Sequence, residues 1–291
     1  MKHSRIPAAF YAMTIPALLL FFAFHTFPAL QGLFYSFTNW KGYGSYAFVG
    51  IKNYANILTD PRVGQAYGFT FKFAIVTTVL VNATSLALAL GLNANICGKT
   101  FLRAVYFLPN VLGALVVGYV FRFIFSNVLP SVGQDLGIGI LQKNILGSME
   151  SAWIGIVIVT VWQACAFNVL LYISGLQSIP EELYEAATID GATRWQAFRK
   201  ITLPMLLPFV TINLVLCMKN SLMVFDSVMA MTGGGPGNAT TSVSVLIYKG
   251  GFSGSLFAYQ SANAIVFFLI LVAVSLVQIK SLQKREMQTN G

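Results

Sequence analysis

QSIPEELYEAATIDGATRWQAFRKITLP, from Gln177 to Pro204, is where an otherwise apolar chain turns polar. It packs Glu181, Glu182, Glu185, Asp190, Arg194, Arg199 and Lys200 into one short run. Such a run belongs in water between two apolar segments, and its placement decides how the rest of the chain is counted. Ser178 followed by Pro180 and two glutamates has the form of a helix start, with an oxygen-bearing cap, proline in the first turn and acids near the positive end of the macrodipole. Asp190-Gly191 is a turn signal. Thr193, with Gln196 three residues on, fits a capping box opening a second short helix, along which Trp195, Phe198 and Ile201 recur at helical spacing. The expectation is a helix-turn-helix with an apolar face. One use of that face is to lie on the membrane surface, and the other is to meet a protein.

On either side of this loop the chain is too apolar for a water-soluble core. Only 9% of its 291 residues are charged and 56% are hydrophobic, against about 25% charged in soluble domains. A helix needs about 20 apolar residues to cross the hydrocarbon, and six segments supply them: 11–34, 69–92, 104–125, 153–175, 203–231 and 256–279. The expected fold is an all-α integral membrane protein, a single domain over 1–291, with the loop 177–204 between spans four and five. Lys2 and Arg5 precede the first run, which is too long for a signal-peptide core. Lys99 and Arg103 fall in the short second loop, and Lys280, Lys284 and Arg285 follow the last span. This positive-inside pattern puts both termini and the loop in the cytoplasm. The net charge of +9 is thereby read as topology and lipid-headgroup charge rather than nucleic-acid binding. Cys97, Cys165 and Cys217 lie apart in apolar surroundings, with no disulfide or zinc spacing.

Glu185-Ala186-Ala187, then Gly191 after three residues, then Ile201, Leu203 and Pro204 after nine more, resemble the EAA signature of ABC importer permeases. By average residue usage those seven positions coincide by chance at roughly 10⁻⁸ per starting point. The resemblance implies a coupling helix that docks on an ATPase subunit, with Glu185, Ala186, Ala187, Asp190, Gly191, Trp195, Phe198, Ile201, Leu203 and Pro204 as its ATPase-coupling residues. Small alanines admit a close partner surface, glycine allows the turn and proline ends the unit. Phe48-Val49-Gly50 with Asn53-Tyr54, Phe107-Leu108-Pro109, Gly175-Leu176-Gln177 and Phe225-Asp226 with Met231-Thr232-Gly233-Gly234-Gly235-Pro236 are similar to the maltose and multiple-sugar branch. Phe121 stands before Arg122 where that branch has tryptophan.

The resemblance implies a carbohydrate importer of a bacterial or archaeal cell (inner) membrane, with a polyol or glycerol phosphate as the other solute class. Its partners would be a second, different permease subunit, two ATPase subunits binding ATP and Mg, an extracytoplasmic solute-binding protein and the lipid bilayer. No cofactor is expected in this chain. GxxxxGK[ST] is missing, so ATP hydrolysis would need another chain. HExxH and GxSxG are also missing, and His3 and His25 are too far apart to suggest a metal pair.

Ionisable and polar groups inside spans mark candidate solute contacts. Lys219 comes about 24 Å into the fifth span, where it either lines a cavity or snorkels to the surface or to a partner. Asn213, Asn220 and Met223 share or flank its face, and Asp226 comes about 10 Å further along a continuous helix. In the fourth span, Trp162, Gln163, Asn168 and Tyr172 offer the aromatic and amide groups that sugars use, although such residues also join helices to one another. Asn82, Thr84 and Ser85 in the second span are weaker candidates. An ion-driven carrier is the rival reading. It needs ionisable relays in several spans, whereas clear mid-span charges are nearly confined to Lys219 and Lys72.

Overall fold

Apolar runs that cannot leave amides unpaired in lipid close their hydrogen bonds along the chain, and among the described residues every regular element is a helix. This computed structural model describes residues 8–94 and 98–290, and the side chains among them except those of 8–12, 99, 100, 103 and 283–290. Lys2, His3, Arg5 and Cys97 lie outside the described residues. The chain divides into two compact units, Met1–Asp60 with Ile247–Phe268, and Pro61–Leu246 with Leu269–Gly291.

In the first unit, α1 (Ala8–Phe21) continues through a π turn at Phe22–Thr26 into α2 (Phe27–Tyr35), followed by the short α3 (Lys52–Thr59). Phe48-Val49-Gly50 and Asn53-Tyr54 have a structural use here. Asn53, buried, donates to the carbonyls of Ser36 and Thr38 at 2.7 and 2.8 Å. The Tyr54 hydroxyl meets Ser36 Oγ at 2.7 Å. Trp40 stacks on Tyr35 and meets Phe257 edge-on, and the Tyr259 hydroxyl donates to Asp60 at 3.0 Å.

The second unit is built on α4 (Pro61–Asn93), which starts well before residue 69 because Pro61 suits a first helical turn. After it come α5 (Lys99–Val111), then α6 (Ala114–Phe123) running through a π turn into α7 (Leu129–Asp135), and α8 (Ala152–Gln177). The polar loop forms α9 (Glu181–Ile189), α10 (Arg194–Ala197), a π turn at Phe198–Thr202 and α11 (Leu203–Met205). Next are α12 (Leu207–Leu222), α13 (Asp226–Met231), α14 (Val243–Tyr248) and α15 (Phe257–Asn290).

Five helical stretches are long and apolar enough to cross a bilayer, Met13–Tyr35, Pro61–Asn93, Ala114–Asp135, Ala152–Gln177 and Phe257–Leu282. A sixth forms if Arg194–Met205 and Leu207–Leu222, bent by 62° at Leu206, count together. Two expected spans contain breaks. In 104–125, Pro109 carries no amide proton and Leu112 and Gly113 are extended, so the long apolar helix begins only at Ala114. In 203–231, Pro208 cannot donate to the carbonyl of Pro204 and its ring crowds that carbonyl, which accounts for the bend. The helix then stops at Leu222 and restarts at Asp226.

Two apolar clusters hold the second unit together. Phe73 of α4, Val117 of α6, Ile156 and Val159 of α8, and Val228 and Met231 of α13 form one. Ala89 and Leu92 of α4, Val169, Tyr172 and Leu176 of α8, and Leu206 form the other, against which Tyr184, Ile201 and Phe209 pack. Outside these clusters, long aliphatic and aromatic side chains stay exposed on nearly every helix, Leu19, Phe24, Phe123 and Phe268 among them. Apolar surface on that scale is stable only against lipid or another subunit. The chain is an all-α integral membrane protein.

Candidate functional site

The polar loop is anchored on one side and open on the other. Ile179, Tyr184, Ile201 and Leu206 join the cluster at the ends of α4 and α8, and Tyr184 and Thr202 hydroxyls meet at 2.8 Å. This fixes both ends of the helix-turn-helix to the apolar body. Ser178 does not start α9. Its hydroxyl donates to the Gly175 carbonyl at 2.8 Å at the end of α8, and Pro180 precedes the helix with Glu181 and Glu182 in the first turn. A serine between two helices can serve either one, and here the orphan carbonyls of the preceding helix take it.

Between α9 and α10 the turn follows from Gly191. Its φ of +73° is one that residues with a Cβ disfavour, and the amides of Gly191 and Ala192 return to the carbonyls of Thr188 and Ala187 at 3.1 and 2.9 Å. Thr193 and Gln196 form the capping box: Thr193 N–H donates to Gln196 Oε1 at 2.7 Å and Gln196 N–H to Thr193 Oγ1 at 3.3 Å. A cavity of about 350 Å³ opens beside Ala187, Gly191, Ala192 and Ala197. Trp195 stacks on Phe198 with centroids 5.6 Å apart, yet Trp195 is 67% and Ile189 87% exposed. Glu185, Ala186 and Asp190 are also exposed, Ala187 and Pro204 half-buried and Leu203 exposed. The coupling candidates are therefore brought together on one largely exposed unit, with Ile201 half-buried between the apolar cluster and the cavity.

The solute-path candidates do not gather in one place. Trp162 lies against Phe121 and lines an apolar crevice of about 710 Å³ with Leu80, Tyr106 and Pro109. Gln163 donates to the carbonyls of Leu112 and Pro109 at 2.9 and 3.4 Å, satisfying the acceptors freed where α5 breaks. Asn168 is buried and donates to the Ala164 carbonyl at 2.8 Å. Tyr172 is buried, its hydroxyl on Asn82 Oδ1 at 2.7 Å. Asn213 is wholly buried with neither amide atom hydrogen-bonded within the chain. Lys219, Asn220, Met223 and Asp226 remain exposed. The helix break after Leu222 removes the continuous-helix relation between Lys219 and Asp226. Thr84 pairs with Cys165 at 2.9 Å, and Ser85 is buried without a partner for its hydroxyl.

One group escaped the sequence reading. The Lys72 ammonium sits 3.9 Å from the centroid of the Trp153 ring, in a cavity of about 700 Å³ with Glu150, Gln65 and Asn238. Lys72 alone was visible as a mid-span charge; its partner lies on another helix and carries no signal at short spacing.

The family described as "Binding-protein-dependent transport system inner membrane component" matches residues 83–286. The chain is 42% identical over 277 residues to the multiple sugar-binding transport system permease protein MsmF of Streptococcus mutans, covering 95% of this chain and 96% of that one. It is 34% identical to the probable starch degradation products transport system permease protein AmyD of Thermoanaerobacterium thermosulfurigenes, covering 96% and 95%. The fold is shared with the crystal structure of a bacterial ABC transporter involved in the import of the acidic polysaccharide alginate, at a TM-score of 0.83 and 22% identity over 95% of each chain. The chain belongs to the family of binding-protein-dependent transport system inner membrane components.

Proposed function

We propose that this chain is a membrane-spanning permease subunit of an ATP-driven, solute-binding-protein-dependent importer of carbohydrate, of the oligosaccharide or multiple-sugar class. The observation that carries the reading is the exposed helix-turn-helix at 181–205, where Ala187, Gly191 and Ile201 of the EAA-like set line an open cavity while its ends are locked into the apolar body. ATP hydrolysis belongs to separate subunits, and the chain itself is not an enzyme. The carbohydrate class is supported by the multiple-sugar and starch-product permeases it resembles across nearly its whole length. Also similar, at 29% identity, is the sn-glycerol-3-phosphate transport system permease protein UgpA of Brucella abortus, which keeps a phosphorylated polyol as the second solute class.

In this reading six spans, both termini and the 177–204 loop follow the positive-inside assignment. The loop docks on one of two ATPase subunits, and a second, homologous but different permease subunit completes the path. Closure of the ATPase pair would move the loop, and with it α12, between inward-open and outward-open states, and an extracytoplasmic binding protein would deliver the solute. Lys219, Asn220, Met223 and Asp226, all exposed at or just beyond the end of α12, are the proposed solute-path residues. Gln163, Asn168, Tyr172 and Asn213 are already engaged or enclosed within this chain, so they shape the path from behind, while Trp162, exposed on the wall of the apolar crevice, stays a candidate for direct contact. Affinity purification of the tagged chain from its native membrane tests the proposal. Recovery of an ATPase and a second permease with sugar-stimulated hydrolysis supports it, and recovery of this chain alone with ion-gradient-driven uptake overturns it.

A further inference from the structure

The Lys72–Trp153 cavity lies far from the coupling loop: Trp153 is 24 residues before Gln177 on α8, about 36 Å along the helix axis. The importer reading therefore puts it at the extracytoplasmic mouth. Its volume of about 700 Å³ falls within the roughly 300–1,000 Å³ of small-molecule sites. One wall is the glycine-rich segment that the sequence singles out without giving it a use. That segment is rigid. Thr232 Oγ1 meets Thr240 Oγ1 at 2.8 Å, Thr240 Oγ1 donates to the Gly235 carbonyl at 2.6 Å, and Thr241 Oγ1 donates to the Gly234 carbonyl at 3.0 Å. Gly237 suits its place: its φ is +57°, which residues with a Cβ disfavour, and a Cβ there would displace the Met149 methyl. The opposite wall is α4, where a Cβ on Gly68 would meet nothing within 4 Å, leaving the space above it open.

The lining chemistry is mixed. Lys72 supplies a cation held over an indole face. Glu150 supplies an anion, and Gln65 and Asn238 supply amides with both donors and acceptors. One positive and one negative charge cancel, so the cavity gives an anion no net attraction, and although Phe69, Met149 and Trp153 also line it, a lipid chain would leave its ammonium, carboxylate and amides unpaired. A ligand bearing many hydroxyls, each both donor and acceptor, matches it.

We infer that this cavity is a saccharide-binding vestibule, a neutral-sugar site at the outer mouth of the permease, distinct from the α12 residues of the path. It rests on the importer reading for its place outside the membrane. The bound sugar would sit between α4 and the glycine-rich wall, taking hydrogen bonds from Lys72, Gln65 and Asn238 and giving one to Glu150.

The test uses the whole importer in right-side-out membrane vesicles. Ala239→Cys, a small change on the cavity wall, is combined with Cys97→Ser; Cys165 and Cys217 are buried. The rate of labelling by a membrane-impermeant maleimide is then measured with and without raffinose. The expected result is slowing in proportion to occupancy, roughly ten-fold when raffinose stands at ten times its dissociation constant, and no slowing by glycerol 3-phosphate. Gly68→Leu, whose Cβ would meet no neighbour within 4 Å and whose isobutyl group adds bulk to the cavity, should abolish the protection, and Lys72→Gln should weaken it. Absence of labelling from outside, equal rates with and without raffinose, protection by glycerol 3-phosphate, or protection that survives Gly68→Leu would each overturn the site. ATP-driven sugar uptake by the same vesicles reports separately on the importer reading, so the two can fail independently.

Discussion

Tyr172 of α8 and Asn82 of α4 meet hydroxyl to amide oxygen at 2.7 Å, both buried, while the Asn82 amide nitrogen donates to the Thr78 carbonyl at 2.8 Å. The pair ties the two most extensively packed helices together at a depth where water cannot substitute. Tyr172→Phe removes one bond and strands one acceptor. Interhelical bonds of this kind are worth about 1 kcal/mol in membranes. Thermal unfolding of the purified chain in detergent should register a loss of that size, and an unchanged midpoint would mean the bond contributes nothing.

Asn213 makes the opposite case. A buried amide with no partner costs about 1–3 kcal/mol, so Asn213→Leu should raise the thermal midpoint. A lowered midpoint would reveal that an internal water satisfies the amide.

Gly191→Trp places a large side chain where nothing lies within 4 Å in this chain, at a φ that costs a non-glycine residue about 1–2 kcal/mol. Expression and membrane insertion should persist, while uptake per ATP hydrolysed should collapse. Uptake at the wild-type rate would count against a partner surface above the turn.

Trp195→Ala removes an exposed aromatic whose loss should leave the fold intact. Central aromatic anchors at interfaces are worth 2 kcal/mol or more, about a thirty-fold weakening. Co-purification of the ATPase, titrated by concentration, measures it, and full retention would show that Trp195 lies off the docking surface.

Gln163→Leu leaves the carbonyls at the α5 break without a donor. About 1–3 kcal/mol should be lost, with sugar affinity unchanged at the same expression level. A selective loss of sugar affinity would restore Gln163 to the solute path.

Most of the helix-turn-helix was legible because its signals are local: the Thr193–Gln196 box, the Asp190-Gly191 turn and the two leading glutamates each act within four residues. Ser178 misled because two helix ends compete for one hydroxyl and spacing does not say which wins. Long apolar runs announced the helices, but hydropathy averages over the break at Leu112–Gly113 and the bend at Leu206, which are set by proline geometry rather than polarity. The solute-path candidates could not be sorted among themselves from sequence, for a physical reason. An amide inside a span reads the same whether it faces a cavity or, like Gln163, caps a neighbouring helix, and only the packing of α5, α8 and α12 distinguishes the two.

The bend at Leu206 has a mechanical meaning. Arg194–Met205 forms an arm of about 18 Å and Leu207–Leu222 one of about 24 Å, joined at 62° on a side chain that is wholly enclosed. With the angle held, Leu206 is a fulcrum. A sideways push on the short arm at Trp195 would be redirected by the elbow and magnified about 1.3-fold at the far tip, near which Lys219, Asn220 and Met223 stand, so a small displacement of the polar loop would become a larger swing of the end of α12.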